Sequence, residues 1–254
     1  MAHEPTQRLD GKVAVIAGGA GAIGLATAHR LAALGCACVL LHRRDAGEVQ
    51  AMLDKLPQAA LPHGEIQADI VDSASLAAAA ARVAQQWKRC DILVNSAGFT
   101  RPVPAGDLDA LDDDLIDRLM QANFRGVFAT IRAFVPLLKQ SGEGLIANVS
   151  SIAAFTGTGS NLAYVGAKAA LDVVGDALAK ALAPAVRVVS VSPGVVASGF
   201  VPGRGAEFNA KTAESTPLRR VGQPDDVAAA IEALATTMRF VTGTRIVIDG
   251  GRHL

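Results

Sequence analysis

Aromatic residues are scarce in this 254-residue sequence, in which eight phenylalanines, one tryptophan and one tyrosine make up 4% of the chain. Half of the residues are nevertheless hydrophobic. The core must therefore be built from alanine, valine, leucine and isoleucine, and the single tyrosine, Tyr164, has to be explained separately.

The sequence also has no surplus of either charge, because 24 lysines and arginines balance 24 aspartates and glutamates. This balance argues against general affinity for nucleic acid or an anionic membrane. No uninterrupted apolar run is long enough to span a bilayer, and the N-terminus lacks the apolar segment of a signal peptide. Three cysteines (Cys36, Cys38 and Cys90) cannot all pair, and no cysteine–histidine cluster has metal-ligand spacing. We expect a cytoplasmic protein with reduced thiols and without metal, nucleic-acid or membrane partners.

Short β-branched runs alternate with longer runs rich in alanine and leucine. The predicted strands cover 12–17, 36–42, 65–70, 91–97, 144–150, 186–192 and 244–250, and the predicted helices cover 22–34, 46–55, 73–88, 112–140, 161–183 and 224–237. Most of these strands are apolar on both faces, as in the middle of a parallel sheet. The alternation predicts an α/β fold, a single Rossmann-type domain over 1–254 whose doubly wound parallel sheet has about seven strands and helices on both faces. The stretch 194–217 is predicted to be an irregular loop at the substrate site.

A glycine-rich turn follows the first predicted strand, with Gly18, Gly19, Gly21 and Gly24 before the first helix. Glycines let the backbone approach a ligand, and a helix N-terminus offers free N–H groups and a positive dipole end to a phosphate. After the first strand of a βαβ unit, such a turn indicates a dinucleotide site. The spacing departs from G-x-G-x-x-G, and Ala22 takes the place of the middle glycine.

Tyr164 and Lys168 are four residues apart in the stretch YVGAK. On a helix, positions i and i+4 share a face, so both side chains can enter one site. A phenol with a pKa of about 10 is a poor acid or base at neutral pH, but a neighbouring ammonium lowers that pKa. Alone, this pair is more often a half-buried tyrosine beside a solvated lysine.

A series of motifs decides between these interpretations. They are the turn from Gly18 to Gly24, NSAG at 95–98, ANFRGVF around Asn123, NVSS ending at Ser151, YVGAK at 164–168, SPGVVAS at 192–198, PLRRVGQPDDVA at 217–228 and the terminal IDGG at 248–251. Their order and spacing resemble those of the classical short-chain dehydrogenase/reductases over essentially the whole chain. No single motif is decisive, but together they are highly specific.

The resemblance implies an enzyme that interconverts a ketone or aldehyde and an alcohol by hydride transfer with NAD(P). In that family the tyrosine is the general acid/base, here Tyr164, while the lysine, here Lys168, lowers the phenol pKa and binds the nicotinamide ribose. Ser151 matches the serine that hydrogen-bonds the substrate oxygen, and Asn123 matches the asparagine that positions a water behind the lysine. Asn123 could equally satisfy a helix irregularity. Ser150 is expected to be structural and to point away from Ser151.

The resemblance also implies a set of cofactor residues. Asp69 is expected at the adenine, and Asn95 is expected chiefly to hold neighbouring strands together. The complete set is Gly18, Gly19, Gly21, Ala22, Ile23, Gly24, His42, Arg43, Arg44, Asp69, Ile70, Asn95, Ser96, Ala97, Gly98, Tyr164, Lys168, Pro193, Gly194, Val196 and Ser198.

The end of the second predicted strand bears on the choice of cofactor. Dinucleotide folds that prefer NAD usually place an acidic residue there, to accept the ribose 2′-hydroxyl. In this chain His42 takes that position, and Arg43 and Arg44 follow. A guanidinium can bind a 2′-phosphate through paired hydrogen bonds, which favours NADP(H) over NAD(H). Alternatively, the two arginines are a solvated pair, or Asp45 reaches back to the ribose.

Two other functions share parts of this pattern. A catalytically silent dinucleotide-binding sensor or regulator would have the same fold, but such proteins typically lose the tyrosine or the lysine. A sugar-nucleotide epimerase or dehydratase shares the Tyr-x-x-x-Lys spacing but carries a longer C-terminal substrate domain. Here all four positions of the family's catalytic tetrad are filled, by Asn123, Ser151, Tyr164 and Lys168. The last predicted strand ends at 250. Both alternatives are therefore disfavoured.

The expected partners are a small-molecule carbonyl or alcohol and further copies of the chain. The substrate pocket is expected to combine 152–160, the region after Gly98 and 199–216, and to be apolar. Arg101 and Arg204 there could meet an anionic group, although loop arginines are more often solvated. The helices at 161–183 and 112–140 carry more apolar surface than one sheet can cover, so that, together with the habit of the family, a homotetramer is predicted.

Overall fold

The computed structural model describes residues 7–254 and contains one parallel sheet. Its strands are β1 (Val13–Ala17), β2 (Ala37–His42), β3 (Gly64–Gln67), β4 (Ile92–Asn95), β5 (Gly144–Val149), β6 (Val186–Pro193) and β7 (Thr244–Ile248). They lie in the order β3-β2-β1-β4-β5-β6-β7. This arrangement confirms the predicted fold class. The chain reverses its winding between β1 and β4, where such sheets open a crevice at the carboxyl ends of their strands.

Helices cover both faces of the sheet. They are α1 (Ala22–Ala33), α2 (Ala46–Leu53), α3 (Ser73–Gln86), α4 (Asp113–Met120), α5 (Gly126–Ser141), α6 (Ala153–Thr156), α7 (Leu162–Leu182), α8 (Ala206–Ser215) and α9 (Pro224–Thr236). Alternate strand residues point to opposite faces. Ala14 and Ile16 of β1 join the core under α1, α2 and α9, while Val13 and Val15 join the core under α3, α5 and α7. No helix in the described part is long and apolar enough to cross a bilayer.

Two predicted elements differ from the structure. The helix predicted over 112–140 is interrupted, because a π-helical turn at Gln121–Arg125 separates α4 from α5. The stretch 194–217 is not irregular throughout, since α8 lies within it. That helix buries only Thr212 and so lacks the apolar face that would reveal it in a sequence.

Candidate active site

The glycine turn packs directly against the NSAG segment. Gly18 has a left-handed φ of 75°, and a Cβ built on it would lie 2.7 Å from the backbone nitrogen of Ala97. A Cβ on Gly24 would press on the carbonyl oxygen of Gly18. The turn is closed by a 2.9 Å hydrogen bond from the Gly21 N–H to that same oxygen. Side chains are thus excluded where two backbone segments meet at the crevice.

The N-terminus of α1 is open to an anion. Among residues 7–254 no side chain caps it, whereas aspartate or asparagine side chains cap α2, α3, α4 and α7. Gly21 and Ala22 are exposed, and Ile23 is half-buried. Uncapped N–H groups and the positive end of the helix dipole fit a pyrophosphate. The predicted phosphate residues therefore form a cradle suited to a dinucleotide.

The end of β2 carries the residues predicted to choose between NAD and NADP. His42 is buried, and its Nε2 lies 2.7 Å from Oε2 of Glu65 on β3. The Asp45 carboxylate accepts a 2.8 Å hydrogen bond from the Gly47 N–H and so caps α2. The Glu65 carboxylate is thus paired with His42, and one oxygen of the Asp45 carboxylate is directed to the N-terminus of α2.

Arg43 and Arg44 are exposed, as is Asp45. The Arg43 side chain is 74% exposed, and its Nη1 lies 3.6 Å from Oδ2 of Asp69. The chain turns after β3 at Asp69, whose Oδ1 accepts a hydrogen bond from the Val71 N–H, and the adjacent Ile70 is half-buried. Arg43 and the predicted adenine residue thus stand side by side at the rim of the crevice.

The NSAG segment joins three strands. Asn95 donates through Nδ2 to Oδ1 of Asn148 on β5 at 2.9 Å, and the Ser96 hydroxyl donates to the carbonyl oxygen of Ala17 at 2.8 Å. A Cβ on Gly98 would lie 2.5 Å from Oδ1 of Asn123. This geometry agrees with the strand-bridging role expected for Asn95.

Asn123 lies in the π-helical turn and is completely buried. Its Nδ2 donates to the carbonyl oxygens of Phe99 at 2.9 Å and Leu119 at 3.0 Å. Its Oδ1 has no hydrogen-bond partner among residues 7–254. The Asn123 amide therefore hydrogen-bonds a carbonyl oxygen next to the π-helical turn, a feature that often occurs at functional sites. Its Oδ1 remains a buried acceptor for another group.

Tyr164 and Lys168 enter the site from the first turns of α7. The Asn161 side chain caps this helix by accepting a 2.7 Å hydrogen bond from the Tyr164 N–H. Lys168 is buried and donates through Nζ to the carbonyl oxygen of Val149 at 2.8 Å. Its Nζ lies 5.7 Å from the centre of the Tyr164 ring. The predicted spacing on one helical face is thus realised.

The electrostatics of the pair depend on neighbours outside the motif. Burial raises the pKa of Tyr164 to about 12, and the Ser151 hydroxyl and the positive charge of Arg204 oppose this rise. Burial lowers the pKa of Lys168 to about 8, which the carboxylate of Asp172 opposes. The motifs point to neither Arg204 nor Asp172, because a loop arginine and a helical aspartate carry no distinctive pattern.

The two serines at the end of β5 face different surroundings. The Ser151 hydroxyl accepts a 3.2 Å hydrogen bond from the Ala153 N–H and acts on the Tyr164 phenol. Ser150 is buried, and its backbone N–H donates to the carbonyl oxygen of Val191 at 2.8 Å. Ser151 is thus the serine whose hydroxyl acts on the phenol, while the buried Ser150 hydroxyl has no hydrogen-bond partner among residues 7–254.

The segment after β6 forms the remaining wall. Pro193 is the last residue of β6, and the Gly194 N–H donates to the carbonyl oxygen of Ile248 at 3.0 Å. Val196 forms a parallel β-bridge with Gly222. The Ser198 hydroxyl accepts a 3.4 Å hydrogen bond from the Phe200 N–H. This segment runs beside the tetrad, where the nicotinamide was predicted.

One aromatic ring packs near the phenol. The rings of Phe200 and Tyr164 are 6.1 Å apart. A second aromatic pair, Phe155 and His253, has its rings 5.7 Å apart. No group of three or more histidine, cysteine, aspartate or glutamate residues within 7–254 could hold a metal ion. The described residues thus bring together a phenol, a hydroxyl and an amine, with the Phe200 ring beside the phenol.

Comparisons with known proteins show what the whole chain is similar to. A family model described as enoyl-(acyl carrier protein) reductase matches residues 18–253. The D-threitol dehydrogenase of Mycolicibacterium smegmatis is 35% identical over 252 residues, covering 96% of this chain and 94% of that protein. The cis-4-hydroxycyclohexanecarboxylate dehydrogenase of Sinomonas cyclohexanicum is 32% identical over 246 residues, covering 94% and 96%. The crystal structure of a Brucella melitensis short-chain dehydrogenase/reductase, described as glucose/ribitol dehydrogenase, has a TM-score of 0.90 at 28% identity and covers 98% of this chain and 100% of that chain.

Proposed function

This chain belongs to the short-chain dehydrogenase/reductase family of oxidoreductases, and we propose that it interconverts a ketone or aldehyde and its alcohol, with Tyr164 as general acid/base. The observation that carries the proposal is the buried Tyr164 phenol, which lies beside the Ser151 hydroxyl and one helical turn from the buried Lys168 ammonium. Comparison with the dehydrogenases named above supports the same reaction class.

The residues present fit a nicotinamide dinucleotide. The cradle of Gly18, Gly21 and the uncapped N-terminus of α1 would hold the pyrophosphate. Lys168 and the segment 193–198 would hold the nicotinamide half. The bound cofactor supplies or accepts the hydride.

The tetrad handles the proton and the oxygen of the substrate. Ser151 donates a hydrogen bond to the substrate oxygen and stabilises the charge that develops there. In reduction Tyr164 donates its proton to that oxygen, and in oxidation it accepts the proton from the alcohol. The Lys168 ammonium favours the phenolate, and the free acceptor on Asn123 supports a path that returns protons from solvent to Lys168.

We assign the cofactor preference to NADP(H). The exposed Arg43 and Arg44 supply positive charge at the ribose end, while the nearby carboxylates of Glu65 and Asp45 are engaged with His42 and α2. Arg43 would bind the 2′-phosphate through its planar guanidinium.

Affinities for both cofactors test this preference. We expect NADPH to bind at least about tenfold more tightly than NADH, and Arg43→Ala to lose most of that difference, as removal of a charge-assisted hydrogen bond does. Arg118→Ala, which removes an exposed arginine from α4, serves as the control. A wild-type preference for NADH, or an unchanged NADPH affinity in Arg43→Ala, would refute the assignment.

The reaction class is tested by a substrate panel. The enzyme is mixed with NADPH or NADP⁺ and with simple ketones, cyclic hydroxy acids, polyols and their oxidised forms, and the absorbance of the reduced nicotinamide is followed. Cyclic hydroxy acids and polyols are included because the relatives are named for such substrates. We expect turnover with at least one pair. Cofactor binding without turnover of any pair would favour a silent sensor.

The assembly and compartment are further parts of the proposal. Exposed apolar side chains on α5 and α7 (Phe128, Leu162 and Val173) support a homotetramer. The three cysteines are buried and free, which supports a reducing, cytoplasmic location.

A further inference from the structure

Arg204 lies unpaired at the opening above the catalytic phenol. Within residues 7–254 its guanidinium forms no hydrogen bond or ion pair, although the residue is half-buried. Many other arginines of the described chain meet carboxylates, among them Arg30, Arg89, Arg220 and Arg239. Burying a cation without a counter-charge costs free energy of folding. The position of Arg204 near the phenol points to a ligand, rather than to the packing of the loop, as the source of that counter-charge.

The loop and α8 hold this cation over the site. Phe200, which packs against the Tyr164 ring, begins the turn that leads to Arg204. The Arg204 Cζ lies 4.6 Å from the centre of the Phe208 ring on α8, so that the guanidinium stacks on an aromatic face. Its charge acts on the Tyr164 phenol, whose pKa it lowers against the larger effect of burial.

A second arginine strengthens the positive field. Burial lowers the pKa of Arg204, and the charge of Arg252 lowers it further. Arg252 is held by neutral groups, since its Nη1 donates to the Ser215 hydroxyl at 3.0 Å. Two like charges are thus kept near each other beside α8.

The acidic groups nearby form no ion pair with Arg204 among residues 7–254. The Asp249 carboxylate accepts from the backbone and the ring of His253, each at 2.8 Å. Asp172 is a buried residue of α7, and its nearest cation is Arg245 at 3.9 Å. Arg101, the other arginine predicted near the pocket, is exposed and donates to the Ala110 carbonyl oxygen at 2.8 Å. Arg204 is therefore the guanidinium in the described pocket left for an incoming anion.

We propose that the substrate carries a carboxylate and that Arg204 binds it, with Arg252 adding to the attraction. The inference rests on the proposed oxidoreductase function and adds the substrate class. A guanidinium presents paired N–H donors that match a carboxylate, and a partly desolvated site strengthens this pairing. The carboxylate would lie toward the loop that carries Arg204. The apolar rings would then contact the carbons between the carboxylate and the reacting carbon.

Matched acids and esters test the inference in the full-length enzyme saturated with NADPH. Benzoylformate, acetoacetate and levulinate place the carboxylate progressively farther from the ketone, and each methyl ester removes the charge. We expect kcat/KM for at least one acid to exceed that for its ester by about tenfold or more. Turnover of esters or other neutral ketones without any such preference would overturn the inference and leave the reaction class intact.

Variants show whether Arg204 is responsible. Arg204→Gln should reduce the acid-to-ester ratio by about tenfold or more, and Arg204→Lys should restore only part of it, because a point charge lacks the paired donors. Lys211→Gln removes one exposed charge from α8 and should leave the ratio unchanged. An unchanged ratio in Arg204→Gln would count against the assignment.

A binding measurement separates this inference from the reaction itself. Calorimetry of benzoate and benzamide with the NADPH-saturated enzyme requires no turnover. We expect benzoate to bind more tightly than benzamide, and Arg204→Gln to remove the difference while Lys211→Gln keeps it. Equal binding of the two probes by the wild type would contradict the inference, even if the enzyme reduces ketones.

Discussion

At the scale of single residues, Asp172 shows how a group outside the tetrad can act on it. Both of its carboxylate oxygens are buried without a hydrogen-bond partner among residues 7–254, and Arg245 Nε lies 3.9 Å away. It follows Lys168 by one helical turn, and its charge raises the pKa of Lys168 against burial, which lowers it to about 8. Because we propose that the Lys168 charge favours the Tyr164 phenolate, Asp172 is expected to influence catalysis through Lys168.

The consequence is a pH dependence with a defined sign. Lys168 is charged below its pKa, so alcohol oxidation that depends on this charge should decline as pH rises through about 8. Asp172→Asn removes the group that raises this pKa, so the decline should begin at lower pH. The pH profile of kcat for alcohol oxidation measures this shift. Asp176→Asn, one turn farther along α7, is the control. An unmoved or upward-shifted profile in Asp172→Asn would contradict this role.

The limits of the sequence are visible at these residues. Tyr164, Lys168, Ser151 and Asn123 could be named in advance because their spacing belongs to a family pattern. From the sequence, Arg204 is one of two loop arginines that could meet an anionic group, the other being Arg101, and nothing in the sequence separates them. The relation of Arg204 to the phenol depends on how a loop folds over the site, and no local pattern encodes that.

At the scale of elements, the glycine turn after β1 depends on close backbone contact. Gly18 and Gly142 have similar left-handed φ angles, 75° and 78°. A Cβ on Gly18 would lie 2.7 Å from the Ala97 nitrogen, whereas a Cβ on Gly142 would meet nothing within 4 Å. The two positions therefore separate the cost of conformation from the cost of contact.

The pair gives a controlled experiment. Gly142→Ala should lose about 1–2 kcal/mol in the free energy of unfolding, because alanine is strained at this angle. Gly18→Ala should lose more, because its Cβ would also press on the Ala97 backbone. Only Gly18→Ala should also displace the cradle and weaken NADPH binding by about tenfold or more. Urea denaturation and cofactor titration measure the two effects. Equal NADPH affinity in the two variants would show that the turn does not hold the cofactor.

The predictability of the elements follows from their burial. Strands apolar on both faces and helices with an apolar stripe were predicted within a few residues, since burial on the sheet imposes those patterns. The π-helical turn at Gln121–Arg125 escaped prediction because its residues continue the helical pattern on both sides. The helix α8 escaped because it buries almost no apolar surface.

At the scale of the whole molecule, the proposed homotetramer rests on exposed apolar side chains. Val173 on the outer face of α7 is 67% exposed, and Phe128 and Leu162 on the neighbouring helical surface are exposed as well. Leu108, in the segment before α4, is 68% exposed but lies outside those two helices. We expect the wild type to be a tetramer by light scattering at micromolar concentration.

A charge at the proposed interface tests this expectation. Val173→Asp should dissociate the tetramer, because a buried unpaired carboxylate opposes association, whereas Leu108→Asp at equal exposure should leave it intact. Light scattering of the three proteins gives the answer. A monomeric wild type, or equal behaviour of the two variants, would contradict the proposed interface.

The central claim is that Tyr164 transfers the proton in a nicotinamide-dependent carbonyl–alcohol reaction, and one comparison tests it most directly. Tyr164→Phe removes the phenolic oxygen and leaves the ring in place. We expect kcat on the best substrate of the panel to fall by about two to four orders of magnitude, the usual worth of general acid–base catalysis, while NADPH still binds. A variant that binds NADPH and retains most of the wild-type kcat would contradict the account.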